Sequence, residues 1–244
     1  MGNFFSHHIR RLLATDNLKQ TKKDISTIKH AALFHSLIED CQWLKNKSFA
    51  PGGWALDYAA LYTLFCILNF AKPKNILEFG LGQSSKMIHQ YAGFFQSSRA
   101  LTIEHDKNWR DFFLNSVSGY EIKTALLQLE TVEINGFKTQ TYINIDELYS
   151  TSGDFDFVLI DGPQQSPRYS RSQILNLVQK FPQERFVYLF DDSERPGEQD
   201  TIKSVCSILK DKGINYHSAN ITGDEKFHAI ICSEDLKFLT SIRY

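Results

Sequence analysis

The sequence has few cysteines and no excess of charge of either sign. Its 244 residues include four cysteines, Cys41, Cys66, Cys206 and Cys232, whose wide spacing fits neither a C-x-x-C motif nor a disulfide framework. The net charge is −1 and no basic stripe is present, which disfavours a nucleic acid held through its phosphates. We therefore expect a protein of a reducing compartment that binds no nucleic acid.

The sequence also lacks a long hydrophobic run. Its most apolar window, residues 55–71, is interrupted by Asp57 and Asn69 and is short for a membrane-spanning helix. The N-terminal part contains no continuous apolar segment of the kind that directs secretion. We expect a cytoplasmic protein without a transmembrane segment. A chain of this length can bury the core of one α/β unit with an extension.

The segment NILEFGLGQSS, which begins at Asn75, indicates a buried strand that ends in a glycine turn. Glu78 closes the apolar run, and Gly80 and Gly82 permit a backbone path that residues with a Cβ would resist. The serines that follow can cap the next helix, whose N-terminus suits a polar or anionic ligand. The spacing E-x-G-x-G-x-S differs from the G-x-G-x-x-G motif of dinucleotide-binding proteins.

Three further apolar segments also end in acidic residues. ALTIEHD contains Glu104, FDFVLIDGP contains Asp161, and FVYLFDD ends in Asp191 and Asp192. Helical stretches separate these segments, so they indicate a parallel sheet whose carboxyl edge, where ligands bind in open α/β folds, carries carboxylates. Glu104 follows the glycines by about 20 residues, the spacing at which a carboxylate in this architecture accepts hydrogen bonds from ribose hydroxyls. Glu104 also has a purely structural interpretation, as the polar end of a strand.

Taken in order, the motifs E-F-G-x-G-x-S, I-E-H-D, V-L-I-D-G-P and F-D-D resemble those of class I S-adenosylmethionine-dependent methyltransferases over residues 71–231. One departure is Ser84, which stands where a third glycine usually occurs. The D-x-x-R from Asp192 to Arg195 is similar to that of glucuronoxylan-type and surface-polysaccharide O-methyltransferases. The resemblance implies an α/β, Rossmann-like fold with a seven-stranded, mostly parallel sheet of order 3-2-1-4-5-7-6.

The same resemblance implies S-adenosylmethionine as the cofactor. It places Glu78 and Gly80 at the amino-acid end of the cofactor and Glu104 at the ribose. The complete set of implied cofactor-binding residues is Glu78, Phe79, Gly80, Gly82, Gln83, Ser84, Ser85, Glu104, His105 and Asp161.

Methyl transfer to a neutral hydroxyl requires a base or a metal ion at the ends of the strands. Asp161 and Asp192 are the candidate catalytic residues. In the alternative, Asp161, Asp191 and Asp192 hold Mg²⁺ or Mn²⁺, an arrangement that resembles the metal-dependent catechol-type O-methyltransferases. Each aspartate also has a purely structural interpretation, as a helix cap or as the start of the Gly-Pro stop.

The candidate acceptor-binding residues are Trp54, Arg168 and Arg195. The two arginines follow strands four and five, and their forked guanidinium groups suit a uronic acid or the diphosphate of a nucleotide sugar. Trp54 either stacks on a ring of a ligand or anchors the helix that follows it.

Three functions remain open at this point. The first is methylation of a hydroxyl of a sugar or nucleotide sugar in surface (capsular) polysaccharide biosynthesis. The second is metal-dependent methylation of a small hydroxylated metabolite. The third is a non-catalytic protein with the methyltransferase fold.

Two regions lie outside the sheet motifs. Residues 1–50 form a predicted helical extension to a domain of residues 51–244; the helices cover the cleft, make a homodimer contact or pack on the core. Their apolar positions are Ile25, Ile28, Ala32, Leu33, Leu37 and Ile38. Asn135-Gly136, flanked by alternating segments, predicts an inserted β-hairpin before or including strand three.

Overall fold

The structure is a computed structural model that describes residues 2–152, 154–163, 166–223 and 226–242. Helices and strands alternate along most of the chain. The helices are α1 (Gly2–Ile38), α2 (Tyr58–Cys66), α3 (Gln83–Phe94), α4 (Lys107–Ser116), α5 (Ile145–Ser152), α6 (Gln173–Lys180) and α7 (Pro196–Asp211). A π-helical turn (Ile67–Ala71) extends α2, and a 3-10 helix (Glu234–Ser241) follows the last strand. The strands are β1 (Asn75–Phe79), β2 (Arg99–Glu104), β3 (Thr124–Leu126), β4 (Leu129–Ile134), β5 (Phe137–Tyr142), β6 (Phe157–Ile160), β7 (Val187–Phe190), β8 (Tyr216–Thr222) and β9 (Phe227–Ser233).

Seven strands form one sheet in the order β3-β2-β1-β6-β7-β9-β8. β1 and β6 pair in parallel, with Leu77 opposite Val158, and β9 runs antiparallel to both of its neighbours. When the hairpin strands β4 and β5 are left out and the remaining seven strands are numbered along the chain, this is the order 3-2-1-4-5-7-6. The predicted fold class, that of class I methyltransferases, is therefore confirmed. Apolar side chains fill both faces of the sheet, with α2 and α3 on one face and α6 and α7 on the other.

Two glycines allow the loops after β1 and β6 to touch. Gly80 has φ +95°, and a Cβ on it would lie 2.9 Å from the carbonyl oxygen of Asp161. A Cβ on Gly162 would lie 3.0 Å from the Cα of Gly80. Because both positions exclude a side chain, the glycine turn and the start of the Asp161 loop form one closely packed floor at the carboxyl edge.

The predicted hairpin is confirmed, but its place in the chain was wrong. β4 and β5 form a separate two-stranded antiparallel sheet, and both turn residues have positive φ, 51° at Asn135 and 80° at Gly136. The hairpin follows β3 instead of preceding or including it. β3 has only three residues and none of them is fully buried, so it leaves little hydrophobic pattern in the sequence.

The N-terminal region is a single long helix whose C-terminal part packs on the core. His30, Phe34 and Ile38 are buried, whereas Ile25 and Ile28 are 62% and 68% exposed. The predicted apolar face was therefore wrong at Ile25, Ile28, Ala32 and Leu33, which are exposed, and right at its C-terminal end, where Ile38 is buried. The division at residue 50 stays a prediction. Among the helices described, none combines the length and hydropathy that crossing a membrane requires.

Candidate active site at the carboxyl edge of the sheet

Glu78 lies beneath the glycine turn and not in the cleft. Its side chain is fully buried, and its carboxylate accepts hydrogen bonds from the hydroxyls of Ser84 and Thr102. Burial raises the pKa of Glu78 to about 7, despite these hydrogen bonds. Glu78 thus ties β1 to β2 and to the start of α3. Its predicted contact with the amino-acid end of the cofactor stays a prediction, and this burial opposes it.

The first turn of α3 borders open space. The N–H of Gly82 donates to Ser85 Oγ at 3.0 Å, and a Cβ on Gly82 would meet no atom within 4 Å. Gln83 accepts a hydrogen bond from the N–H of Ala50, which links this turn to the segment before α2. Phe79, in contrast, is wholly buried and stacks on Tyr142, so only its backbone can line the cleft.

Glu104 is fixed at the end of β2 by the backbone around it. Its carboxylate accepts hydrogen bonds from the backbone N–H groups of Leu81 at 3.1 Å, His105 at 2.6 Å and Asp106 at 2.8 Å. Burial opposes ionisation, but the His105 side chain and these N–H groups outweigh it and lower the pKa of Glu104. Trp109, which the sequence motifs did not indicate, donates from Nε1 to the Leu81 carbonyl and stays 42% exposed. A carboxylate and an indole face therefore flank the glycine turn.

Asp161, Asp191 and Asp192 converge at the ends of β6 and β7. Each offers an oxygen that lies within 4.8 Å of the other two. Asp161 keeps 15% of its side chain exposed, whereas Asp192 keeps 3% and Asp191 none. Asp192 has φ +56°, a left-handed conformation that costs about 1–3 kcal/mol in a residue with a side chain. Asp161 is thus the member of this aspartate cluster that an acceptor can reach.

Cationic side chains fill the space between the three aspartates. Arg171 Nη2 lies 2.8 Å from Asp192 and 3.3 Å from Asp161. Lys226 Nζ lies 3.0 Å from Asp191 and 3.5 Å from Asp192. The sequence motifs did not indicate Lys226, because it is 35 positions from Asp191 along the chain and leaves no spacing signal. Arg171 lies in the loop after β6, where loop arginines are expected to bind the acceptor, but it contacts the aspartates instead.

A buried histidine extends this network to α2. His228 Nδ1 lies 2.9 Å from Asp191, and His228 Nε2 lies 3.0 Å from Asp57, the N-cap of α2. Burial alone would lower the pKa of His228, but the two carboxylates outweigh it and raise that pKa to about 10. His228 is held as an imidazolium, so it is no base for the reaction.

The same contacts separate the pKa values of the aspartates. Burial raises the pKa of Asp161 well above its ordinary value, and the neighbouring Asp191 adds to this effect. Burial also acts on Asp191, but His228 and Lys226 outweigh it and lower the pKa of Asp191. Asp161, the least buried of the three aspartates, is therefore the one that takes up a proton most readily.

The aspartate cluster does not fit a divalent metal ion. Its oxygens converge as the metal hypothesis requires, but Lys226 and Arg171 already contact them at 2.8–3.5 Å. A metal ion 2.0–2.6 Å from the same oxygens would share that space with cations of its own sign. The arrangement opposes the metal hypothesis and leaves Asp161 as the better candidate for a general base.

The three predicted acceptor residues lie in different environments. Trp54 is 88% exposed, so its interpretation as an anchor for α2 was wrong. Arg168 forms an ion pair with Asp200, and its guanidinium lies 4.4 Å from the centre of the Phe137 ring. Arg195 contacts Asp192 at 2.7 Å and keeps 35% of its side chain exposed. Trp54 and Arg195 are therefore available to an acceptor, and Arg168 is already engaged.

No family model matches the chain, and no curated protein matches its sequence. Among solved structures, it is similar to the O-methyltransferase from Bacillus cereus in complex with SAH, with 14% identity, 89% of this chain and 97% of that chain covered, and a TM-score of 0.46. It is also similar to precorrin-6y C5,15-methyltransferase from Geobacter metallireducens, with 14% identity, 77% of this chain and 94% of that chain covered, and a TM-score of 0.47. A third similar structure is a SAH-bound methyltransferase from Podospora anserina, with 13% identity, 86% of this chain and 88% of that chain covered, and a TM-score of 0.44. At these values the likeness carries no argument about this chain, and the evidence for its fold is the strand order of the sheet.

The His228 network predicts a large loss of stability in His228→Leu. The substitution leaves Asp57 and Asp191 buried without this cation, so we expect the free energy of unfolding to fall by about 3–5 kcal/mol. His217→Leu on the adjacent strand is the matched control. His217 pairs with the exposed Glu234, and its loss should cost less than about 1 kcal/mol. Urea denaturation measures both, and equal losses would contradict the network.

Proposed function

We propose that this chain is an S-adenosylmethionine-dependent O-methyltransferase. The observation that carries the proposal is the meeting of three predicted elements at one sheet edge. Gly80 touches the Asp161 loop, and Leu81 donates to Glu104. This edge combines an open helix start with a carboxylate, which suits a ligand that carries both an amino-acid carboxylate and ribose hydroxyls.

The proposed mechanism assigns Asp161 as the general base. Bound S-adenosylmethionine supplies an activated methyl group, so the chain must align the acceptor hydroxyl and remove its proton. Asp161 has the least buried carboxyl group of the aspartate cluster. Asp192 contacts Arg171 and Arg195, and its role in this proposal is to hold the two arginines.

The proposed acceptor is a hydroxyl of a sugar or nucleotide sugar, as in surface polysaccharide biosynthesis. The exposed indole of Trp54 suits stacking on a sugar ring, and the part-exposed Arg195 suits a carboxylate or phosphate. Trp54 is adjacent to Ala55, whose carbonyl accepts a hydrogen bond from Lys226, so its loop borders the aspartate cluster. A small aromatic acceptor fits the same indole, and screening decides between them.

The proposal also places the protein in the cytoplasm as a homodimer. The exposed Leu18, Ile25 and Ile28 on α1 support a subunit contact through that helix.

The cofactor proposal predicts that binding of S-adenosylmethionine depends on Glu104. Calorimetry should detect binding of S-adenosylmethionine and S-adenosylhomocysteine but not of NAD. Glu104→Ala should weaken that binding by about 1–3 kcal/mol, the range for a hydrogen bond to a charged group. Glu121→Ala is the control, because Glu121 is exposed and precedes β3 at the opposite sheet edge. Heat with NAD alone would refute the cofactor assignment.

The base assignment predicts a specific loss of turnover in Asp161→Asn. Methyl transfer from labelled cofactor to nucleotide sugars and capsule extracts, read as a mass shift, identifies the acceptor. Asp161→Asn should then lower turnover about 10²–10⁴-fold and leave cofactor affinity nearly unchanged. The control is Asp154→Asn, an exposed residue before the other end of β6. Full turnover in Asp161→Asn and in Asp192→Asn would exclude a carboxylate base.

The acceptor proposal predicts a binding defect in Trp54→Ala. Because Trp54 is 88% exposed, its removal should leave the fold intact while raising the acceptor KM by about tenfold, in line with the loss of one ring contact. Phe70→Ala serves for comparison, since Phe70 is also exposed but precedes the amino end of β1. A KM unchanged in Trp54→Ala would remove this residue from the acceptor site.

A further inference from the structure

Lys226 occupies an unusual position for a lysine. It is 7% exposed, and its ammonium group reaches two buried aspartates and the Ala55 carbonyl. Its own carbonyl accepts the N–H of Gly223 at 2.8 Å, which closes the turn between β8 and β9. A buried ammonium group is costly without anionic partners, so the aspartates and the lysine require one another.

The aspartate cluster would otherwise have the composition of a divalent cation site. Three carboxylates with oxygens within 4.8 Å of one another are hard ligands of the type that Mg²⁺ and Mn²⁺ prefer. Arg171 bridges Asp161 and Asp192, and Lys226 bridges Asp191 and Asp192. Every carboxylate of the cluster thus contacts at least one side-chain cation, which neutralises the charge that would attract a metal ion.

We propose that Lys226, with Arg171, is the built-in cation of this site and replaces a divalent metal ion there. Lys226 is a positioning residue that holds Asp191 and Asp192 in their buried places and leaves Asp161 facing the cleft. The consequence for methyl transfer, that it proceeds without a metal ion, rests on the proposed function. The occupancy of the aspartate cluster by Lys226 is independent of the proposed function, because it rests on the contacts alone.

The inference is tested by titrating the purified protein with Mn²⁺ alone, followed by calorimetry and by electron paramagnetic resonance. The wild type should show no stoichiometric Mn²⁺ site. Lys226→Met keeps most of the length of the side chain and removes its charge, so it should bind Mn²⁺ at least about tenfold more tightly than the wild type. Lys226→Arg, which keeps the charge, should behave as the wild type. Adding Asp161→Asn to Lys226→Met should abolish the gained site.

The gain of a metal site distinguishes this role from a merely structural one, since a simple packing defect creates no Mn²⁺ affinity. Stoichiometric Mn²⁺ binding by the wild type that Asp161→Asn abolishes would overturn the inference. So would a folded Lys226→Met variant without a gained site. If Lys226→Met does not fold, the wild-type and Lys226→Arg titrations decide, and the absence of a site in both supports the inference.

Activity separates this inference from the proposed function. Wild-type methyl transfer that persists in a chelator supports both proposals. Transfer that stops in a chelator and returns with Mn²⁺ overturns the inference and leaves the methyltransferase assignment standing. No transfer at all, together with a gained Mn²⁺ site in Lys226→Met, refutes the proposed function and leaves the occupancy by Lys226 intact.

Discussion

A buried network of charges joins the elements that build the cleft. Asp57 at the start of α2 contacts His228 on β9, which contacts Asp191 after β7. Lys226 continues the chain of contacts to Asp192. Removing one partner of a buried pair leaves a charge without compensation, which costs far more than an intact pair contributes. The positions of α2, β7 and β9 at this edge therefore depend on one another through charge as well as through packing.

The network also determines which carboxylate meets the cleft. In the part of this network that the structure describes, five carboxylates contact four cations, so one negative charge remains when all of them are ionised. The carboxylates are Asp57, Asp161, Asp191, Asp192 and Glu198, and the cations are Arg171, Arg195, Lys226 and His228. The least enclosed of the three clustered aspartates is Asp161. Burial and the neighbouring Asp191 raise the pKa of Asp161, so this carboxyl group takes up a proton most readily and that proton removes the residual charge.

The sequence predicted the sheet well because the signals for strands are local. Apolar runs that end in Glu78, Glu104, Asp161 and Asp191 gave the strands and the edge where they meet, and Asn135-Gly136 gave the hairpin. The partners of the aspartates were not predictable in this way. Asp57 and His228 are 171 positions apart, and no periodicity or spacing connects them. The exposure of Trp54 was not predictable for the same reason. Whether this side chain anchors a helix depends on which residues pack over it, and its neighbours along the chain do not indicate them.

The inserted hairpin acquires a role when its contacts are followed to the cluster. Asn135 and Thr139 hydrogen-bond Tyr169, and Phe137 lies under Arg168. The loop that they hold contains two residues with left-handed backbones, φ 50° at Tyr169 and 57° at Arg171. Such conformations cost about 1–3 kcal/mol each and persist only where surrounding contacts enforce them.

The left-handed backbone of this loop directs the side chain of Arg171 toward the aspartates. Arg171 Nη1 donates to the carbonyl of Asp191, and Nη2 reaches Asp161 and Asp192. The two ends of the guanidinium therefore contact both strand ends at once, which a freely rotating surface arginine would not do. Arg168, three residues earlier, is fixed by Asp200 on α7. The hairpin and α7 thus hold the loop from two sides: Arg168 is kept in its ion pair with Asp200, and Arg171 is directed to the aspartates.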